Sequence, residues 1–221
     1  MNPRLQSAGI AGILTGVALV GEFIFFMISG FTPEVSNNPA AALTFLRDSG
    51  VYLRIAVLPG ATGIAFRIIY VAGLAARLHA NTPTRAVATL YFGILGSFGH
   101  GLVALSLYVG IPMFVALAAR DPGAAANAWG AFNVITSGFD GIGNFLLGLV
   151  LLTAGWAIIS RRALPVGAGW VGVLAGIATV IRVFATGTPL AALAFAAFFP
   201  SLLLAIIFDI WAGIALWRAK E

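Results

Sequence analysis

The 221-residue chain is 61% hydrophobic and 9% charged, and its 12 Lys and Arg outnumber 7 Asp and Glu for a net charge of +5. A soluble domain averages about 25% charged residues; with a mean hydropathy of +1.03 the chain reads as an integral membrane protein with no room for a separate soluble domain. The positive balance fits a cationic inner face rather than nucleic acid, and the lack of cysteine excludes disulfides, thiolate catalysis and Cys-bound zinc or iron–sulfur clusters.

A helix needs roughly 20 apolar residues to cross the hydrocarbon core. Six stretches qualify, near 8–31, 52–76, 86–110, 129–159, 166–186 and 190–217. They predict an all-α fold, a bundle of six transmembrane helices forming one domain over 1–221. The first stretch follows a single charge, Arg4, and exceeds the ~7–15 apolar residues of a signal peptide, so it reads as a retained helix. The Thr32-Pro33 to Pro39 segment is a loop; Asn38 and Pro39 have the character of an N-cap and first helical residue, opening a short interfacial helix to Arg47. Asn81-Thr82-Pro83, Asp121-Pro122-Gly123, Arg161-Arg162 and Gly187-Thr188-Pro189 mark the other turns. Pro200 is expected to kink or break the last helix.

Lys and Arg asymmetry gives the orientation. With the N-terminus inside, Arg4, Arg77, Arg85, Arg161, Arg162, Arg218 and Lys220 fall on the inner side, against Arg47, Arg54 and Arg120 outside. The outer side also holds Glu34, Asp48 and Asp121. Both termini are therefore expected in the cytoplasm of a bacterial inner-membrane protein. Trp129, Trp156, Trp170, Trp211 and Trp217 are expected as interface anchors near helix ends.

Five charges sit inside the apolar stretches: Glu22, Arg67, Asp140, Arg182 and Asp209. A charge at the bilayer centre costs roughly 2.5–3.5 kcal/mol on insertion scales, so each needs a partner, water or a role. Each lies on a stripe of small or polar residues at helical spacing. Thr15, Glu22 and Ser29 share a face of the first helix, and Gly60, Gly63, Arg67 and Tyr70 one of the second. Gly93, Ser97, His100, Ala104 and Tyr108 follow on the third, and Asn133, Ser137, Asp140 and Asn144 on the fourth. The fifth carries Gly172, Ala175, Thr179, Arg182 and Thr186, and the sixth Ser201, Ala205, Asp209 and Ala212. The stripes predict a polar internal seam of Glu22, Arg67, His100, Asn133, Asp140, Asn144, Arg182 and Asp209. The simplest pairing is Arg67 with Asp209 and Arg182 with Glu22 or Asp140, leaving one acid beside His100.

The seam has two readings: ion pairs that fix helix register, or a hydrated site for a polar ligand, proton or ion. A Gly-Ile-Ala run precedes both Arg67 and Arg182, a faint echo of the inverted repeats of transporters. Haem between two histidines fails, because only His100 lies in a span. A retinal Schiff base fails on lysine, because the chain's one lysine is Lys220. His100 among Gly96, Gly99 and Gly101 has room for a porphyrin or chlorin metal, but an imidazole bonded to Asp140 or a serine is the preferred reading. Ser97, His100 and Asp140 have the residue types of a hydrolase triad without its nucleophile elbow. Glu22, His100 and Asp140 carry no metal-ligand motif, and no phosphate loop or dinucleotide fingerprint is present.

Three runs resemble an uncharacterised bacterial family of six-helix membrane proteins, a domain of unknown function. "RLQSAGIAGIL" is similar to the family's opening of helix one. "SRRALPVGAGWVGVLAGI" is similar to its short cytoplasmic turn into helix five. "FDIWAGIALWRAKE" is similar to its last helix, with Asp209 at the acidic position. The resemblance spans nearly the whole chain and implies architecture, not mechanism.

The expected function is non-enzymatic: an accessory membrane subunit or small-ligand-binding bundle in the lipid bilayer. The chain is expected to associate with other membrane subunits or a second copy, and no cofactor is favoured beyond a lipid or hydrophobic ligand. The alternative is a proton, ion or small-solute transporter or channel using the buried carboxylates.

Overall fold

A computed structural model describes residues 3–219 of the chain. Lys220, weighed above as inner charge and Schiff-base candidate, lies outside the described residues. The fold is all-α. Among the described residues there are seven helices: α1 (Pro3–Ser29), α2 (Pro33–Ser36), α3 (Pro39–His79), α4 (Pro83–Ala118), α5 (Pro122–Arg161), α6 (Val166–Ala185) and α7 (Ala191–Trp217). All except α2 are long and apolar enough to cross a membrane.

Proline opens α1 to α5, because the first helical residue needs no N–H donor and its φ suits the ring. The residue before it often caps the helix. Asn38 Oδ1 accepts from the Ala41 N–H (3.2 Å), Asp121 Oδ1 from Ala124 (2.9 Å) and Thr32 Oγ1 from Val35 (3.4 Å). The Thr32 hydroxyl also holds the exposed Glu34 carboxyl below its ordinary pKa.

Asn38 and Pro39 start a helix as expected, but no separate interfacial helix follows. The chain continues helically from Pro39 to His79, 41 residues. At 1.5 Å per residue that is roughly 60 Å, about twice the hydrocarbon thickness. The expected boundary at residue 52 was one of hydropathy, and Gly50 alone does not interrupt backbone hydrogen bonding. The α4 and α5 helices overrun their expected limits in the same way, at 36 and 40 residues. Pro59, Pro112 and Pro200 lie inside helices. Pro200 does not divide α7, which runs from Ala191 to Trp217. The Ser201 hydroxyl donates to the Phe198 carbonyl (2.8 Å) beside it.

The chain forms two compact units. Unit 1 comprises Met1–Val17, Gly63–Gly99 and Gly141–Glu221. Its core holds Tyr70, Leu74, Leu78, Leu151, Ile158 and Phe208. Here α5 and α6 approach to backbone contact along glycines seven residues apart. A Cβ on Gly155 would lie 2.6 Å from the Gly169 oxygen, and one on Gly176 2.8 Å from the Gly148 oxygen. Small residues allow this approach, and dispersion between the close backbones replaces the hydrophobic drive that lipid removes. The turn between them places Arg162 at φ 52°, and its N–H bonds the Ile158 carbonyl (2.7 Å).

Unit 2 comprises Ala18–Thr62 and His100–Asp140, with a core of Leu46, Leu53, Val57, Ile111 and Trp129. Trp129 departs from its expected place at the interface. It is 1% exposed, its indole N–H donates to the Ser36 carbonyl (2.9 Å), and its ring meets Phe31 and Phe114 edge-on. The Ser36 carbonyl gives the indole N–H the partner that burial requires. Trp156, Trp170, Trp211 and Trp217 remain exposed, as membrane anchors need to be.

Candidate functional site

Two acids of unit 2, Glu22 and Asp140, meet at His100 of α4. Both Glu22 oxygens, from α1, lie 3.3 Å from Nε2. Asp140 Oδ1, from α5, lies 3.3 Å from Nδ1. The imidazole is thus held end to end between two carboxylates from two other helices. Glu22 is well buried, with 14% of its side chain exposed, whereas Asp140 keeps 45%. One end of the line is enclosed and the other accessible.

Counting protons shows what this arrangement holds. A neutral imidazole has one N–H and satisfies one contact. Making both nitrogen contacts hydrogen bonds takes two protons among the three groups. They form either an imidazolium between two carboxylates or a neutral ring beside one protonated acid. Either distribution leaves these three groups with a net charge of −1. The 3.3 Å separations exceed the 2.7–2.9 Å of a tight charge-assisted bond, leaving slack for a proton to shift the partners.

Gly60 of α3 makes room for the Glu22 head. A Cβ there would lie 2.6 Å from Glu22 Oε1 and 2.9 Å from its carboxyl carbon. Gly60→Ala is therefore expected to displace the carboxylate while sparing the fold, since the obstacle is the far end of a flexible side chain. In protein labelled with ¹⁵N-histidine, the Nε2 resonance of His100 should move and Nδ1 should move less. Unchanged resonances would show that Glu22 is not held against the ring.

In unit 1, Arg67 of α3 faces Asp209 of α7, with Nη2 and Oδ2 3.9 Å apart. This is the expected pairing. Arg182 of α6 lies over the Phe198 ring, 5.4 Å from its centroid, and makes further interactions, as do Asp140 and Asn144. Glu22 and Asp140 both engage His100, so the expected single acid beside the histidine is a pair.

Asn133 departs from its expected place beside Asp140. Its Oδ1 accepts from the Ser36 hydroxyl (2.8 Å) and its Nδ2 donates to Asn37 Oδ1 (3.2 Å), tying α5 to the α2 region. Ser137, expected on the inner stripe, is exposed, and its neighbour Thr136 is buried instead. Ser97 donates to the Gly93 carbonyl of its own helix (2.6 Å), so its hydroxyl proton already has a partner. Among the described residues no three His, Asp or Glu side chains are grouped to hold a metal ion. Glu22 and Asp140 approach opposite nitrogens of one ring, so their oxygens do not converge on a point.

Sequence reasoning missed Gly60 as a member of the His100 cluster, although it stands on the stripe that singled out Arg67. Unit 2 also carries an apolar groove of about 750 Å³ on α4 and α5, lined by Leu102, Leu105, Val109, Met113, Phe114 and Phe132 among others.

Six apolar helices with ionisable residues inside them define a multi-pass membrane protein. No family model, curated protein or solved structure matches the chain.

Proposed function

We propose that this chain is a non-enzymatic membrane protein that binds a small ligand at the Glu22–His100–Asp140 cluster, the ligand being a proton. The observation that carries this reading is the imidazole with a carboxylate at each ring nitrogen. Such a line passes a proton among its three groups without moving a helix. Acids and histidines inside membrane spans recur in proton relays and ion pathways.

The unequal exposure of its two ends favours a second reading, the transporter. A proton arriving at the half-exposed Asp140 passes to Nδ1, and the Nε2 proton passes to enclosed Glu22. Liposomes containing the wild-type protein should dissipate an imposed pH gradient. The Glu22→Gln/Asp140→Asn variant should fall to the rate of protein-free liposomes. Flux that survives the double substitution sinks the transport reading. An acid pulse to detergent-solubilised protein separates the binding reading, because wild type should take up more protons than His100→Gln by indicator dye. Equal uptake overturns it.

We place the chain in a bacterial inner membrane with both termini inside and a kink at Pro200. The charge asymmetry supports the orientation. Two of the arginines assigned to the inner side join the α3–α4 end to the α5–α6 end, as one common face requires, Arg77 donating to the Ala163 carbonyl (3.3 Å) and Arg85 to the Ser160 hydroxyl (2.8 Å). A lipid acyl chain suits the apolar groove. Association with another membrane subunit or a second copy is supported by the open space at Gly138 and Gly141 on α5. Extraction in mild detergent should recover a larger assembly, and a clean monomer counts against it.

A further inference from the structure

Unit 1 gathers arginines at one short turn. The α5–α6 turn, residues 160–163, carries Arg161 and Arg162, both exposed. Two more arrive from the α3–α4 end. Arg85, in the first turn of α4, donates from Nη1 to the Ser160 hydroxyl (2.8 Å). Arg77, in the last turn of α3, donates from Nε to the Ala163 carbonyl (3.3 Å). These contacts hold both guanidiniums against the turn.

Both acceptors are neutral, so neither contact cancels charge. A guanidinium has five N–H donors, and each of these two uses one on the protein. Both residues are partly exposed, which leaves the remaining donors open to a ligand. Among the described residues no carboxylate pairs with any of the four arginines. The backbone adds the same sign. The α6 helix opens three residues after Ala163 with Pro165 at its N-cap and no side-chain cap, and a helix N-terminus carries partial positive charge.

The position of the turn along the helices selects the source of an anion. Trp156 stands one turn before Ser160, and Trp170 lies about one turn into α6; both are half-exposed. Exposed tryptophan sits at the level of lipid headgroups. Val87, two residues after Arg85, is exposed as well, and its apolar side chain needs hydrocarbon rather than water. The four arginines therefore stand where acyl chains give way to headgroups.

We infer that Arg77, Arg85 and the 160–163 turn form a binding site for the headgroup of an anionic phospholipid, its phosphate accepting from the N–H donors that the protein leaves unused. Phosphate oxygens match the guanidinium fork, and basic pockets between membrane helices take such headgroups. The two arginines are already held in place, so little side-chain freedom is lost on binding. The inference depends neither on the reading of the His100 cluster nor on which side of the membrane the turn faces.

The test titrates phosphatidylglycerol or phosphatidylcholine into the delipidated full chain in neutral detergent and counts bound lipid by native mass spectrometry. Wild type should hold its first phosphatidylglycerol about tenfold more tightly than phosphatidylcholine, whose headgroup is zwitterionic. Arg77→Gln/Arg85→Gln should weaken phosphatidylglycerol roughly 30-fold, at about fivefold per charge. Arg161→Gln/Arg162→Gln keeps the Ser160 and Ala163 contacts and should also weaken it, so this variant decides the matter if the first does not fold. Arg120→Gln, an exposed arginine of unit 2, should bind as wild type does, and excess inorganic phosphate should not displace the lipid. Equal retention of the two lipids overturns the inference, as does wild-type affinity in either folded double variant. A loss in Arg120→Gln equal to theirs overturns it by showing attraction without a site. Displacement by inorganic phosphate overturns it in favour of the free ion.

Discussion

Asp209→Leu should destabilise the protein by roughly 3–5 kcal/mol, the range for breaking a buried ion pair by deleting one partner. The loss comes from Arg67. With its counter-charge gone, the guanidinium stays among apolar helices, where an unpaired arginine costs about 2.5–3.5 kcal/mol even on lenient scales. Unfolding in lipid–detergent mixtures measures the change. The companion variant Arg67→Met/Asp209→Leu separates charge from packing, since replacing both members with apolar side chains removes the uncompensated charge. Most of the stability should return in the double variant. A double variant as unstable as Asp209→Leu alone would show that shape, not charge, governs the site.

The second large effect lies in the α5–α6 contact. Gly155→Ala adds one methyl at a point 2.6 Å from a backbone oxygen and 2.8 Å from a backbone nitrogen of α6. Backbone cannot rotate away as a side chain does, so the helices must part. Overpacking of this kind costs about 1–3 kcal/mol and sometimes more. The same substitution at Gly130 of α5 is the control. Nothing lies within 4 Å of a Cβ there, and alanine is a better helix former than glycine by roughly 1 kcal/mol. Gly130→Ala should be neutral or slightly stabilising in the same unfolding assay. Equal effects at the two positions would mean that the α5–α6 approach contributes nothing.

The six spans were legible because crossing lipid demands long apolar helices, a requirement written in composition alone. The cap at Asn38 was legible for a local reason, the hydrogen bond from a side chain to its own helix start. The pairing of Arg67 with Asp209 was the simplest match among the five charges on the inward stripes. Helix ends were less legible, because hydropathy reports where lipid begins and hydrogen bonding continues past it from Pro39 to His79.

The fourth span shows why a stripe is not a site. Asn133, Ser137, Asp140 and Asn144 share a helical period, yet Asn133 bonds Ser36 and Asn37, Ser137 is exposed and Asp140 faces His100. Periodicity relates residues within one helix and says nothing of which neighbour each meets. Trp129 carries the same lesson, since only the fold brings the Ser36 carbonyl to its indole N–H.

Composition and periodicity alone determined a helical membrane protein with costly charges inside it, because the energy of placing each residue type in lipid is a local property. Tertiary structure decided that Glu22 and Asp140 take the two nitrogens of one imidazole, that Gly60 leaves space for the Glu22 head, and that the Tyr70 ring packs against Gly12 of α1. Those outcomes depend on how helices are rotated and how closely they approach, and close packing of side chains from several helices sets both.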